Sequence, residues 1–279
     1  NTMKKAIFST EISLLRSTMQ RLLRRRAHTN ISKILRKTHQ ADVALIMRSL
    51  NQYDQKTIFS LCPTAQHKSR LLEELDESLI EKVLQNESSK NISKIFRYLD
   101  TNDQATIIGM FAEKKQSEIL TIIEADDKEE VEEIMSYPDD SAGSIMTKET
   151  FTLNQNTTVK DSIKKLQSFP ENDKIFYLYV LDNKEKLVGV VSLRTLVTSN
   201  NAKKLKEIMI KDIQAATTDT DQEEVAKKVA QYNYLALPVV NRQNRFLGIV
   251  TIDDVVDIIR EEASEDFLQM AGVGKDREI

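Results

Sequence analysis

The sequence predicts an α+β multidomain chain: an all-α superhelical repeat domain followed by a tandem pair of small β-α-β-β-α units. Three observations predict it. Residues 40–136 space their apolar side chains by threes and fours, with a weak self-similarity of about 24 residues. At Tyr137-Pro138 the pattern changes to short runs dense in Val, Ile and Leu, the composition of strands. Beyond that point the chain overlays on itself, with Gly189 falling on Gly248 at an offset of 59 residues.

The totals exclude several function classes. With 279 residues the chain can hold two or three modest domains, and six Gly and four Pro leave little for long flexible linkers. The single cysteine, Cys62, cannot form an intramolecular disulfide or a Cys-Cys metal knuckle. His28, His39 and His67 lack a zinc-ligand spacing. No window approaches eighteen apolar residues, and NTMKKAIFST has no signal-peptide core, so the chain reads as soluble and cytoplasmic. A start without methionine suggests a piece of a longer protein. No nucleophile triad, P-loop or metal-hydrolase motif is present, so no enzyme activity is expected.

Taken in order, residues 4–38 read as one or two basic helices. Residues 1–40 carry ten Lys/Arg against Glu11, although the formal net charge of the whole chain is −3. Such a start could meet anionic headgroups or nucleic acid, but solvated helix faces are the simpler reading, and no nucleic-acid partner is expected. The repeats follow as LLEELDESLIEKVL, IFRYLDTNDQATII and LTIIEADDKEEVEEI, with Leu75, Leu99 and Ile123 in register. Each reads as helix, turn and helix, with Asp or Thr as N-cap. After the loop PDDSAGSIMT come strands at 176–182, 187–193, 235–241 and 246–252. They interleave with helices at 157–168, 193–199, 221–232 and 253–263. Met146 matches Met209 at an offset of 63. Two copies of about 60 residues, each too small for a secure core, should pack together.

The last helix, IDDVVDIIREEASEDF, carries the sharpest signal. Asp254, Asp257, Glu261 and Glu265 fall on one face, with Glu262 and Asp266 flanking it. Val255, Val256, Ile258, Ile259 and Phe267 take the other side. Residues 253–266 hold seven acids and one base, Arg260. Like charges one turn apart destabilise a helix by a few tenths of a kcal/mol, so folding alone does not favour the pattern. Two readings stand: a solvated face, or a site for a hard, water-retaining cation such as Mg²⁺. The spaced Asp-Gly loop of an EF-hand is absent.

Three features of the duplicated unit resemble the cystathionine-β-synthase (CBS) domain. These are the opening Met-Thr of SIMT, the LPVV of the second copy, and a Gly-Val/Ile-Val-Ser/Thr strand entering a helix. In nucleotide-binding members a Ser/Thr followed three residues later by Asp holds phosphate and ribose. The second copy keeps the pair as Thr251 and Asp254. The first has Ser192 and Thr195, with Tyr177 and Arg194 left to stack on adenine and reach phosphate. The resemblance thus implies an ATP site at Tyr177, Arg194 and Thr251, while the sequence equally allows Thr251 to be a helix cap.

The helical start near THQADVALIMRSL, the junction YPDDSAGSIMT, the CBS pair and the ending TIDDVVDIIREEASEDFLQMAGV together resemble the cytosolic half of the MgtE family of Mg²⁺ transporters. The resemblance implies an N domain over 1–136, CBS domains over 137–202 and 203–263, and the start of a connecting "plug" helix over 264–279. It implies Mg²⁺ ligands at Asp254, Asp257, Glu262, Glu265 and Asp266, with Glu223 as a further acid and backbone oxygens near Gly143 and Ala230. Attachment to the chain's own transmembrane domain and a place at the cytoplasmic face of the membrane follow. Apolar helix residues surplus to one pair, such as Val197 and Ile258, predict homodimerisation through the CBS pairs. Asn233 departs from the family's usual Asp, as do Arg70, Asn102 and Thr106 from acids facing the CBS pair, leaving Asp103 as a substitute. The expected function is Mg²⁺ sensing that favours a compact, pore-closed state; a CBS pair sensing adenosine nucleotides for another channel or enzyme is the alternative.

Overall fold

The structure, a computed structural model, describes residues 2–123, 125–169 and 175–270; the side chains of 2–11, 125, 126, 261 and 264–270 fall outside the description. The chain divides into two compact units, residues 1–129 and 130–279. No described helix is long and apolar enough to cross a membrane.

The first unit is helical throughout. The basic start forms α1 (Thr2–Arg24) and α2 (His28–Leu35). The repeats follow as α3 (Gln40–Met47), α4 (Gln52–Ser60), α5 (Ala65–Leu72), α6 (Glu77–Leu84), α7 (Ser89–Phe96), α8 (Thr101–Gly109) and α9 (Glu113–Ile122), with α10 (Ala125–Ile134) running through the unit boundary. Polar caps start them: Asn51 accepts from Asp54 N–H, Thr64 from His67 N–H, Asp76 from Leu79 N–H and Ser88 from Asn91 N–H. Alternate helices stack, α3 on α5 on α7 on α9 and α4 on α6 on α8, giving the two rows of a superhelix. Buried glutamines lock the turns. Gln55 donates to the carbonyls of Met47 and Leu50, and Gln104 to those of Phe96 and Leu99. Of the three residues in repeat register, Leu75 and Leu99 are buried and Ile123 is half-buried. Asn102 is buried too, so that position is interior, whereas Arg70 and Thr106 are exposed.

The second unit contains the duplication. Its elements are α11 (Ala142–Ile145), β1 (Thr152–Asn154), α12 (Val159–Ser168), β2 (Tyr177–Leu181), β3 (Leu187–Ser192), α13 (Leu193–Thr198) and α14 (Leu205–Ile208). After them come β4 (Ala216–Thr217), α15 (Gln222–Tyr232), β5 (Ala236–Val240), β6 (Phe246–Thr251) and α16 (Ile252–Met270). Each copy makes a three-stranded sheet, β1-β2-β3 and β4-β5-β6, with the first pair parallel and the second antiparallel. The register irregularity falls at matching places, Val180/Leu181 and Val239/Val240.

The cores cross the sequence intervals. Ala142 and Met146, which open the first copy, are fully buried among Ala216, Val225, Leu237, Val250 and Val255 of the second. Leu205 and Met209, which open the second copy, pack with Phe151, Val180 and Val191 of the first. Backbone bridges Thr147 to Ile249 and Val190 to Ile210 fix the exchange. The two conserved-by-duplication glycines make room for it. A Cβ on Gly248 would lie 2.5 Å from the Thr147 carbonyl oxygen, and one on Gly189 would meet the Met209 side chain, 2.6 Å from its Cγ. Between the sheets, Tyr179, Leu187, Ala236, Val240 and Ile249 form a joining core, and Tyr179 stacks on Phe246 with ring centroids 5.0 Å apart.

One assignment on α16 needs correcting. Ile258, placed with the surplus apolar residues of the sequence, is buried in the second copy's core beside Val255. Among the described residues of that set, those left outward are Val256 and Ile259, 39% and 48% exposed. A helix of this pitch can turn only part of a five-residue apolar set inward.

Candidate cation and nucleotide site

The acidic row begins at the junction of β6 and α16, where β6 ends on Thr251, a residue with no exposed surface. Its N–H and hydroxyl both donate to Asp254 Oδ2, at 3.2 and 2.5 Å. Asp254 therefore holds the start of α16 by taking up an otherwise orphan donor. One turn later Asp257 is exposed and pairs with Arg260 at 3.1 Å, a surface contact worth well under 1 kcal/mol. Glu262 faces the other way and accepts from Gln222 Nε2 at 3.0 Å, which ties the first turn of α15 to α16. Glu223, the next residue on α15, is exposed and paired with Lys227 at 2.8 Å. Ala230 is exposed about two turns further along α15. Glu265 and Asp266 lie outside the described side chains.

The expected ligands therefore form a spread rather than a cage. Glu223 and Glu262 come to one end of the α15–α16 pair, while Asp254 is tied to the end of β6. Among the described residues, no three His, Cys, Asp or Glu side chains converge as a metal-holding group. The donors are hard carboxylate oxygens, which suits a cation that keeps most of its water and needs one or two carboxylates from any one surface. Gly143 is buried, and its N–H donates to the Thr218 carbonyl at 3.0 Å. A Cβ there would stand 2.5 Å from Tyr137 Cγ, so close approach requires the glycine.

The nucleotide candidates lie at corresponding sheet ends. Tyr177 pairs in register with Ser192, and Ser192 caps α13, whose second residue is the exposed Arg194. Thr251 occupies the Ser192 position of the second copy. Its hydroxyl donates to Asp254, so the Thr-to-Asp pair of the second copy is bonded to itself here.

Sequence reasoning missed two contacts. Gln222 gave no signal, because its partner Glu262 is 40 residues away. Glu133 accepts from Tyr137 at 2.9 Å and from Lys148, closing a clasp at the head of the second unit. The four-residue spacing of Glu133 and Tyr137 was legible on a helix; Lys148 was not. Burial opposes ionisation of Glu133, but the Lys148 and Tyr137 bonds outweigh it and hold the carboxyl below the usual range. Burial, with Glu133 adding to it, pushes Tyr137 up to about 12. Burial also pushes Cys62 to about 12 against the pull of Lys68, which leaves it an inert thiol.

These features define a helical-repeat domain joined to a CBS pair. The comparisons make the assignment particular. Residues 38–140 match the family profile of the MgtE intracellular N domain, and residues 142–200 and 205–261 match the CBS domain. The chain belongs to the MgtE family. It is 42% identical over 158 residues to the magnesium transporter MgtE of Bacillus subtilis, covering 56% of this chain and 35% of that one. To the magnesium transporter MgtE of Thermus thermophilus it is 41% identical over 145 residues, covering 52% and 32%. The matches thus span about a third of those curated relatives. A solved cytosolic domain of the Mg²⁺ channel MgtE in complex with ATP superposes with a TM-score of 0.79 at 29% identity, over 87% of this chain and 99% of that one. The soluble part of a magnesium transporter gives 0.77 at 23% identity, over 90% and 99%, a likeness of fold.

Proposed function

We propose that this chain is the cytosolic Mg²⁺-sensing region of a magnesium transporter, in which Mg²⁺ between acidic faces favours a compact state that closes the attached pore. The acid row of α16 carries the reading: seven acids against one base over residues 253–266, on a helix whose inward side is apolar. Two like charges 5–6 Å apart repel by about 3 kcal/mol at an effective dielectric of 20. A hydrated Mg²⁺ held by Asp257 and a second acidic surface removes that repulsion, and several weak sites acting together give a steep response. Membership in the MgtE family supports a place at the cytoplasmic face, with a membrane domain as partner.

The test is thermal melting and protease protection against MgCl₂, with KCl at matched ionic strength to subtract screening. Millimolar Mg²⁺ should raise the melting temperature, and Asp257→Asn with Glu223→Gln should remove the rise. These are cleaner targets than Asp254, whose loss also removes the contact that starts α16. An equal response in KCl, or in the double variant, would sink the reading. Val197 and Val256, equivalent in the two copies and 63% and 39% exposed, support a CBS-to-CBS homodimer. A monomer by sedimentation at tens of micromolar would overturn it.

Adenosine nucleotide is a second ligand of the same pair, favoured by the ATP complex of a 29%-identical relative. Tyr177 and Arg194 would hold adenine and phosphate at the end of the first sheet. Calorimetry with ATP should give binding that Tyr177→Ala and Arg194→Ala each weaken at least fivefold. No heat from the parent chain would remove this reading and leave the Mg²⁺ test standing.

A further inference from the structure

We infer that the basic helices α1 and α2 form a docking surface for an anionic lipid membrane. Residues 12–41 contain eight Lys/Arg and no acid. All eight are exposed, and among the described residues none forms an ion pair or side-chain hydrogen bond. Helix dipoles account for part of this, since Arg21 and Arg24 sit in the last turn of α1 and Lys33 in that of α2. They do not account for Arg25 and Arg26, which stand just before the start of α2, where positive charge is unfavourable. Arg26 also adopts φ 51°, a left-handed conformation that glycine or asparagine would take with less strain. Local folding therefore does not explain the run of arginines.

The surface carries a place for a headgroup. A groove of about 800 Å³ is lined by His28, Ser32, Lys33, Arg36 and Lys37 over Ile34 and Leu61. Cationic and hydroxyl donors around an apolar floor suit a phosphate joined to an acyl chain. Leu14, on α1, is 69% exposed, an apolar side chain available to the headgroup layer. Residues 12–38 contain no Phe, Tyr or Trp to serve as a stacking platform for successive bases, which disfavours single-stranded nucleic acid. The strip also precedes the segment matched by the MgtE N-domain profile, which begins at residue 38.

A negative leaflet attracts each nearby Lys/Arg by a factor of about five, falling off within a Debye length. The test is co-sedimentation of the 279-residue chain with phosphatidylcholine vesicles, with and without 30% phosphatidylglycerol, in metal-free buffer at about 0.1 M and 0.5 M KCl. Binding should be at least tenfold stronger with phosphatidylglycerol and should collapse at high salt. R24Q/R25Q/K33Q/R36Q/K37Q should lose at least tenfold. K114Q/K160Q/K164Q/K203Q/K211Q, which removes the same charge elsewhere, should lose less than twofold. Should the first variant fail to fold, lysine acetylation of the parent decides: the vesicles should protect Lys33 and Lys37 and leave Lys114 and Lys160 reactive. No preference for phosphatidylglycerol, equal losses in both variants, or tight binding to a DNA duplex without vesicle binding would overturn the proposal. The buffer contains no Mg²⁺, so failure here is distinguishable from failure of the sensing reading.

Discussion

In the second CBS copy, the helix after the last strand starts with Thr251 donating twice to the Asp254 carboxylate. In the first copy, the same places hold Ser192 and Thr195, whose hydroxyls sit 2.9 Å apart while Ser192 accepts from Thr195 N–H. Both arrangements satisfy the helix start, but one leaves a buried-side carboxylate and the other a neutral pair. The difference extends along the helices. α13 runs six residues and ends at Thr198, whereas α16 runs nineteen and carries the acid row. Duplication thus supplied two equal scaffolds, and divergence at the end of the last strand gave only one of them a charged helix.

The openings of the copies differ as well. Met146 is fully buried in the second core; Met209 is only partly buried against the first. Lys148, just past Met146, is clasped by Glu133, while its counterpart Lys211 is exposed and unpaired among the described residues.

The glycines test the comparison most severely. Gly248→Ala drives a Cβ against the Thr147 backbone, which cannot move without breaking the Thr147–Ile249 bridge, so a loss of about 3 kcal/mol is expected. Gly189→Ala meets the Met209 side chain, whose outer atoms can turn aside although its Cβ, 2.9 Å away, cannot, and should cost less, about 2 kcal/mol. Denaturant unfolding measures both, and equal losses would mean the two crossings are equally rigid.

Met146→Ala should cost about 2 kcal/mol, with the effect in the copy that does not contain residue 146. Hydrogen exchange should quicken in β6 and α16 and stay near the parent rate in β2 and β3. The reverse pattern would contradict the exchanged openings.

The smallest effect concerns the clasp. The Glu133 carboxyl is held below its ordinary pKa, so its contribution is complete above the unfolded-state value and fades as pH falls through the folded one. With more than a third of that side chain exposed, the effect should stay below about 1 kcal/mol. Glu133→Gln should flatten the acid limb of the melting profile by that amount, and Lys211→Gln should leave it unchanged.

Much of this molecule was legible in the sequence because its information is local. Apolar spacing by threes and fours, Asp and Thr caps, and dense β-branched runs placed the helices and strands. The 59-residue self-overlay predicted two matching sheets, and the charge of residues 253–266 is a property of composition. Tertiary structure alone decided the rest, since each remaining fact joins residues far apart in the chain. It put Met146 into the second core and Met209 against the first, turned Ile258 inward while leaving Val256 and Ile259 outside, and gave Glu262 to Gln222. Among the described acids of α16 it tethered Glu262 across the fold, whereas Asp254 and Asp257 bond locally to Thr251 and Arg260. A helical repeat can place charges on one face, but only the packed neighbours determine which of them remain available to a cation.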